Sequence, residues 1–468
     1  MSPHEYDLIV IGSGPAGHRA AIQAVKLHKR VALIERKAVV GGVCINTGTI
    51  PSKTLREAVM HLSGYRERSV YGESYSVKQD ITMADLLFRA DHVIRHEIDV
   101  NQHQLSRNHV EVISAEASFV DAHTVRCKMS GTNTIRDITT ECVIIATGTY
   151  ATRDTNIPLD GQNVFISDDI LKLRDMPQTL AVIGAGVIGC EYATMFSALG
   201  VRVTIIDKRH QLLPFVDHEI GDALAYHLRQ NKATLRFGEE VSRVEPFTNE
   251  QGRTRVRIHL DSGKQLVTDK VLFSIGRTGA TNRLNLPSAG VVADERGRIK
   301  VNDHYQTDAP HIYAVGDVIG FPSLASVSME QGRLAACHAF GVETQNAPQL
   351  YPYGIYTIPE ISQVGQTEEQ LTEAGVPYEV GKAHYREIAH GQIIGDNTGM
   401  LKLIFHSETR ALLGVHILGE GASELIHIGQ AVLAFHGTVD YFVNTAFNYP
   451  TLAECYKTAA FNGINRLL

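Results

Sequence analysis

The sequence predicts an α/β chain: two parallel-sheet modules built on one plan, followed by a C-terminal α+β part. Three observations predict it. A strand pattern, a glycine-rich turn and a helix pattern follow one another near residue 8 and again near residue 180. In both copies a second strand pattern ends on an acid, Glu35 or Asp207, 23 residues past the first glycine of the turn, Gly12 or Gly184. From Gln345 onward strand and helix patterns alternate with no such turn.

The first module opens with the strand pattern Tyr6-Asp7-Leu8-Ile9-Val10-Ile11 and runs into Gly12-Ser13-Gly14-Pro15-Ala16-Gly17. A helical stripe through Ala20, Ala21, Ala24 and Val25 follows. Gly12 permits the tight turn, Gly14 lets a pyrophosphate approach the backbone, and Gly17 allows close packing of helix on strand, with the helix N-terminus facing the anion. The strand Val31-Ala32-Leu33-Ile34 then ends at Glu35, placed to accept from a ribose hydroxyl. A lone G-x-G-x-x-G is a weak signal; flanked by strand, helix and terminal acid it predicts a Rossmann-like dinucleotide site.

The segment from Gly41 to Lys53, Gly-Gly-Val-Cys-Ile-Asn-Thr-Gly-Thr-Ile-Pro-Ser-Lys, reads as a loop. Its glycine pair lets backbone crowd against a flat ligand, and Cys44 follows at once. Between Met60 and Asn108 a polar loop leads to a helical segment with Leu86, Leu87, Ala90, Val93, Ile94 and Ile98 on one stripe. It reads as scaffold, and its histidines (His92, His96, His103) lack ligand partners at metal-binding spacing. Strand patterns follow at Val110–Ile113 and Thr124–Cys127, and Cys142-Val143-Ile144-Ile145-Ala146 runs into Thr147-Gly148.

The second module repeats the plan: Ala181-Val182-Ile183, then Gly184-Ala185-Gly186-Val187-Ile188-Gly189, then a helix through Tyr192, Met195 and Phe196. The strand Val203-Thr204-Ile205-Ile206 ends at Asp207. Two dinucleotide sites are therefore implied, one for a flavin held as FAD and one for a nicotinamide, because chains with two such modules pass hydride between them. Asp207 suits the free 2′-hydroxyl of NAD. Lys208 and Arg209 either engage the 2′-phosphate of NADP or merely solvate the strand end. A charge-assisted hydrogen bond is worth roughly 1.5–3 kcal/mol, so opposed contributions of this size leave the two coenzymes within about one or two decades in affinity.

Beyond the second module, Val271-Leu272-Phe273-Ser274-Ile275-Gly276-Arg277 is a buried strand ending in a turn. Next comes His311-Ile312-Tyr313-Ala314-Val315-Gly316-Asp317, and Gln331-Gly332-Arg333 reads as a helix start. The C-terminal part shows strands at Gly354–Ile358, Gly399–Phe405 and Ala411–Leu418 and a helix at Ala422–Ala434, with His427 expected as a core histidine. Phe447-Asn448-Tyr449-Pro450-Thr451-Leu452-Ala453-Glu454 closes the pattern.

Over essentially the whole chain these segments resemble the flavoprotein disulfide reductases, the family of dihydrolipoamide dehydrogenase and glutathione reductase. That family places a second cysteine five positions after the first; here the position is Thr49. A thiol facing a hydroxyl closes no disulfide, so electrons reaching a flavin would have no disulfide relay. The family also places a histidine just before the C-terminal proline, with a glutamate five residues on, to relay protons for thiols. Here Tyr449 precedes Pro450 while Glu454 remains. A phenol with a pKa of about 10, against about 6.5 for imidazole, is a poor acid-base group for thiols at neutral pH. Cys44 is then a packing residue beside the flavin, or else a peroxide-reducing sulfenic residue.

The resemblance implies catalytic roles for Lys53 and Glu191 near flavin N5 and the nicotinamide: an ammonium stabilising negative charge on the reduced flavin, and a carboxylate keeping it charged. It implies FAD contacts at Gly12, Gly14, Gly17, Glu35, Gly42, Cys44, Thr147, Gly148 and Asp317. The coenzyme contacts would be Gly184, Gly186, Gly189, Asp207, Lys208 and Arg209, with Gly276 at the return crossing, and no metal. The implied domains are FAD-binding (1–150 and 280–345), NAD(P)-binding (151–279) and an interface domain (346–468) that forms a homodimer or larger homo-oligomer.

The two departures resemble the transhydrogenases of this family. They imply reversible hydride transfer between NADPH and NAD+ through one FAD per subunit, ping-pong, in the direction that converts NADPH to NADH. An NAD(P)H oxidase, peroxidase or quinone reductase of the same fold stands as the alternative, and a flavin-bound coenzyme sensor as the non-enzyme one. Composition narrows the classes further. The chain has 468 residues, 44% apolar content, six scattered cysteines and a net charge of −7. No apolar run approaches the roughly 18–20 residues that span a bilayer, and no basic block dominates. A reducing cytoplasm fits, and membrane insertion or nucleic-acid binding does not.

Overall fold

The structure, a computed structural model, describes residues 3–72, 74–344 and 350–467. It divides into two units: Met1–Thr54, Phe88–Thr152 and Gly276–Pro348 make one, and Leu55–Leu87, Arg153–Ile275 and Gln349–Leu468 make the other. The boundary expected between 345 and 346 lies outside the described residues.

In the first unit β1 (Tyr6–Ile11) pairs in parallel with β2 (Val31–Glu35) on one side and with the strand Ile135–Ile145 on the other. Glu111–Phe119 extends the parallel sheet beyond β2, and Ile312–Ala314 extends it beyond Ile135–Ile145. Alternate residues feed opposite cores, as the two-residue period of a strand requires. Leu8, Val10, Leu33 and Ile144 enter one cluster, while Ile9, Ile11, Ala32, Ile34 and Val143 enter the other. A sheet buried on both faces explains why its strands read as continuous apolar runs. The outer ends of Glu111–Phe119 and Ile135–Ile145 leave the parallel sheet and pair antiparallel with Thr124–Met129.

One face is covered by α1 (Pro15–Lys26) and by the helix Ala325–Ala339. A side chain at Gly332 would strike the backbone of Ala16, so glycine is what lets these two helices approach. Gln331-Gly332-Arg333 therefore sits within a helix capped at Leu324 and does not start one, which corrects the sequence expectation. The starting signal misread there was a packing glycine.

The second unit holds a parallel sheet in the order Thr234–Phe237, Arg202–Asp207, Thr179–Ile183, Lys270–Phe273, Val164–Ile166. The helix Val187–Ala198 is buried on almost every side. The same unit carries a five-stranded antiparallel sheet, ordered Tyr353–Ile355, Ile361–Gly365, Leu412–Leu418, Met400–His406, Tyr378–His384. The helix Ala422–Ala434 packs on it, but His427 is not in the core. It is exposed and hydrogen-bonded to Gln430 at 2.8 Å, because the helix buries Ala422, Ile426 and Gly429 on its other face. Among the described residues no helix is long and apolar enough to cross a membrane.

Candidate active site

The turn after β1 is built as the glycine spacing predicts. Gly12 has φ of +104°, and a side chain there would meet the Ala146 carbonyl at 2.5 Å. A side chain at Gly17 would strike the Gly12 carbonyl, so the helix lies directly on the turn. Gly14 caps α1 with no side-chain cap hydrogen bond, so the cap residue itself supplies no acceptor to the helix N-terminus. Glu35, buried at the end of β2, clamps this turn. Its Oε2 accepts from the Ser13 N–H at 3.0 Å and from the Ser13 hydroxyl at 2.6 Å, while Oε1 accepts from the Lys37 N–H at 2.9 Å.

The segment from Gly41 is helical where a loop was expected. It forms a short helix, α2 (Gly42–Asn46), then a break at Thr47 and Gly48, then α3 (Thr49–Ser63). Gly41, with φ of +102°, starts α2, and its N–H donates to the Ser13 carbonyl at 3.2 Å. A side chain at Gly42 would lie 2.8 Å from the Gly14 Cα, so the two glycine turns cross in near contact. The Cys44 thiol is hydrogen-bonded to the Thr49 hydroxyl. Burial pushes this thiol above its ordinary pKa; the Thr49 hydrogen bond and the charge of Lys53 oppose the rise, and Asp317 adds to it.

Thr147 and Thr47 carry hydroxyls that are buried with no partner among the described residues. Thr147 lies against Gly12, whose added side chain would approach its Cα at 3.3 Å. Gly148 and Gly276, both at positive φ, precede the paired strands Thr149–Ala151 and Arg277–Gly279. The Thr149 hydroxyl donates to Asp317 at 3.3 Å, and Arg277 donates to that hydroxyl at 2.7 Å and to the Thr149 carbonyl at 2.9 Å. Burial raises the Asp317 carboxyl above its ordinary value, against the lowering effects of the Arg277 charge and the Thr149 hydrogen bond. Gly12, Gly14, Gly42, Thr147, Cys44 and Asp317 are thus brought together in one unit.

The second module repeats the turn. Gly184 has φ of +104° and faces the Ser274 carbonyl, and Gly189 lies on the Gly184 carbonyl as Gly17 lies on Gly12. Gly186 caps the helix Val187–Ala198 with no side-chain hydrogen bond. Asp207 accepts from the Ala185 N–H at 2.6 Å and the Arg209 N–H at 2.8 Å. The Arg209 guanidinium adds two more hydrogen bonds, Nε at 2.9 Å and Nη2 at 2.6 Å. Burial raises the Asp207 carboxyl, but the hydrogen bonds from Arg209 and Ala185 outweigh it and hold the group below its usual range. Lys208 is exposed and pairs with Glu240 at 3.4 Å.

Glu191 is buried on the helix Val187–Ala198 and accepts from the Tyr356 N–H at 2.9 Å. Three residues on, Thr194 accepts from the Ile358 N–H at 3.1 Å, so one face of this helix holds the segment 356–358. Lys53 lies on α3 in the first unit and Glu191 in the second. Tyr449 is 70% exposed, and Glu454 has a buried carboxylate oxygen with no partner among the described residues. Sequence reasoning passed over Ser13, Thr47, Thr149, Arg277 and Tyr356. Only Ser13 carried a signal: it is the x of the first G-x-G, with a hydroxyl able to reach the acid that ends β2.

Residues 6–332 match the family described as pyridine nucleotide-disulphide oxidoreductase, and residues 351–460 match the dimerisation domain of that description. A soluble pyridine nucleotide transhydrogenase of Mycobacterium tuberculosis (strain ATCC 25177 / H37Ra) is 52% identical over 463 residues, covering 99% of this chain and 98% of that protein. One of Colwellia psychrerythraea (strain 34H / ATCC BAA-681) is 46% identical over 469 residues, covering 99% of each. Among solved structures, the HOCl-induced flavoprotein disulfide reductase RclA from Escherichia coli superposes with a TM-score of 0.86 at 29% identity, over 97% of this chain and 99% of that one.

Proposed function

Because the chain belongs to the pyridine nucleotide-disulphide oxidoreductase family, we propose that it transfers hydride reversibly between NADPH and NAD+ through bound FAD, converting NADPH to NADH. The likeness to soluble transhydrogenases over the whole chain supports this reading. The single observation that carries it is the Cys44–Thr49 pair: the thiol faces a hydroxyl where a disulfide reductase needs a second thiol. Burial also raises that thiol's pKa, which disfavours the thiolate that exchange chemistry needs.

The first unit fits the flavin dinucleotide on its own residues. Gly14 and Gly42 leave a cradle that side chains would fill, and α1 begins beside it with no side-chain cap. Thr147 and Thr47 hold buried hydroxyls lacking partners among the described residues, as contacts to a ligand would leave them. Glu35 would hold the adenine ribose with the acceptor capacity that Ser13 and Lys37 leave, and Asp317 the ribityl chain. Bound there, FAD would supply the hydride acceptor for NADPH and the hydride donor for NAD+.

The chain's own residues orient and stabilise. The turn Gly184–Gly189 would hold the coenzyme pyrophosphate at the start of the helix Val187–Ala198. NADP+ leaves this turn and NAD+ takes it, a ping-pong order with no side-chain nucleophile. Lys53 would supply positive charge where electrons accumulate, and Glu191 is the second residue for which the family resemblance implies a catalytic role. One FAD per subunit, a homodimer formed by the C-terminal part, and a reducing cytoplasm complete the reading. Anaerobic mixing of NADPH with an NAD+ analogue tests it: reduced analogue should form with no third acceptor present. Turnover that requires oxygen, peroxide, a quinone or a dithiol would replace the proposal by an oxidase, peroxidase, quinone reductase or disulfide reductase.

A further inference from the structure

The two modules share their carboxylate geometry except at one contact. In each, the acid that ends the second strand accepts from the N–H of the middle residue of its G-x-G, Ser13 at 3.0 Å or Ala185 at 2.6 Å. Each also accepts from the N–H two residues further on, Lys37 at 2.9 Å or Arg209 at 2.8 Å. In the first module the remaining contact is one neutral hydroxyl, from Ser13 at 2.6 Å. In the second it is the two-pronged Arg209 guanidinium, at 2.9 and 2.6 Å.

This difference matters for ribose binding. A carboxylate has about four lone-pair sites, and four donors occupy those of Asp207. A ribose hydroxyl reaches Asp207 only if a donor leaves. The two backbone donors are fixed by the turn itself, so the donor that can leave is the side chain of Arg209, which is 44% exposed while Asp207 is 5% exposed.

We propose that Arg209 is a specificity-determining latch on Asp207: it swings off for NAD, so that Asp207 takes the ribose hydroxyl, and turns its fork to the 2′-phosphate for NADP. The inference rests on the reading that one pocket takes both coenzymes in turn. Arg209 thus competes with NAD for Asp207, and Asp207 competes with the phosphate of NADP for Arg209. Planar bidentate pairing makes arginine suited to both partners. The first module, which keeps one resident ligand, has no such latch.

The test is equilibrium binding of NAD+ and NADP+ to the oxidised holoenzyme by calorimetry, for wild type, Arg209→Gln and Asp207→Asn. In Arg209→Gln, NADP+ should weaken about tenfold or more while NAD+ tightens about three- to tenfold. In Asp207→Asn the signs reverse: NAD+ weakens, and NADP+ tightens because Arg209 is released. A passive phosphate contact would weaken NADP+ in Arg209→Gln and leave NAD+ unchanged, and a structural role would weaken both coenzymes together. Either result overturns the latch. Asp207→Asn keeps the proposal testable should Arg209→Gln unfold, and unchanged or weaker NADP+ binding there also overturns it. A wild-type protein that binds only one coenzyme would sink the functional reading; wild type binding both, with no opposed shifts in the variants, sinks only the latch.

Discussion

Replacing Lys402 with methionine removes a cation from the interior of the second unit. Lys402 is fully buried on the strand Met400–His406, and its ammonium contacts Asp217 at 2.7 Å, Glu219 at 3.1 Å, and Glu368. Methionine fills a similar volume, so the packing change is small and the loss is electrostatic. Removing one partner of a buried ion pair costs about 3–5 kcal/mol, because the remaining charge is left uncompensated. Glu219 and Glu368 have side chains 37% and 31% exposed and reach water, and Glu219 keeps Lys382 at 2.6 Å. Only Asp217, at 0% exposure, is trapped. It retains the N–H groups of Glu219 at 3.2 Å and Glu368 at 3.4 Å, which places the cost near the lower end, about 3 kcal/mol. For a domain of ordinary size that lowers the melting temperature by roughly 6–12 °C. The chain has no tryptophan, so far-ultraviolet circular dichroism is the suitable probe. Asp217→Asn added to Lys402→Met should recover most of the loss, since asparagine keeps an oxygen to cap the helix His218–Gln230. A Lys402→Met shift under about 2 °C, or a double variant as unstable as the two single losses combined, would refute this account.

Lys53→Met should slow flavin reduction by NADPH about a hundredfold or more while FAD stays bound, read by anaerobic stopped flow; unchanged half-reaction rates would remove the lysine from the mechanism. Thr147→Val should lower FAD affinity about fivefold and leave the FAD-free protein as stable as wild type, because the hydroxyl has no partner among the described residues. Equal destabilisation of the FAD-free protein would mean that the hydroxyl serves the fold. His18 is buried on α1, and burial, aided by the charge of Arg19, lowers its pKa from 6.5 to about 4. The folded state thus takes up this proton at lower pH than the unfolded state, so its contribution is intact above pH 6.5 and lost as pH falls toward 4. The loss is on the order of 3 kcal/mol, and melting curves of His18→Gln should show a flatter pH dependence than wild type in that window.

The parts of the fold that sequence reasoning reached are those where one local requirement admits few residues. Gly12 and Gly184 both stand at φ of +104° with a carbonyl where a side chain would be, so glycine there announces the turn. The acids ending the two second strands are read from spacing because the strand carries them back to the turn they clamp. The errors fall where a local signal has two meanings. Gly41 and Gly42 suggested a loop, yet Gly41 starts a helix and Gly42 is needed for its crossing with Gly14. His427 lies among apolar residues in sequence, but at helical spacing the buried face passes through Ile426 and Gly429.

Long-range pairings were beyond local reading for a different reason. Leu401-Lys402-Leu403 looks like an ordinary strand with one solvated charge. Its partners stand 185 positions away at Asp217, and at Glu219 and Glu368, and nothing at the lysine itself marks it as buried. The Cys44 segment is the opposite case. Once a cysteine's expected partner lies five positions on, the residue at that position, Thr49, can be read straight from the chain, and the hydrogen bond between thiol and hydroxyl brings the two side chains together. Chemistry that depends on one near neighbour is therefore visible in the chain itself. Specificity that depends on how Arg209 is shared between a carboxylate and a phosphate is not, because Asp207-Lys208-Arg209 has the same spelling whether the fork is latched or released.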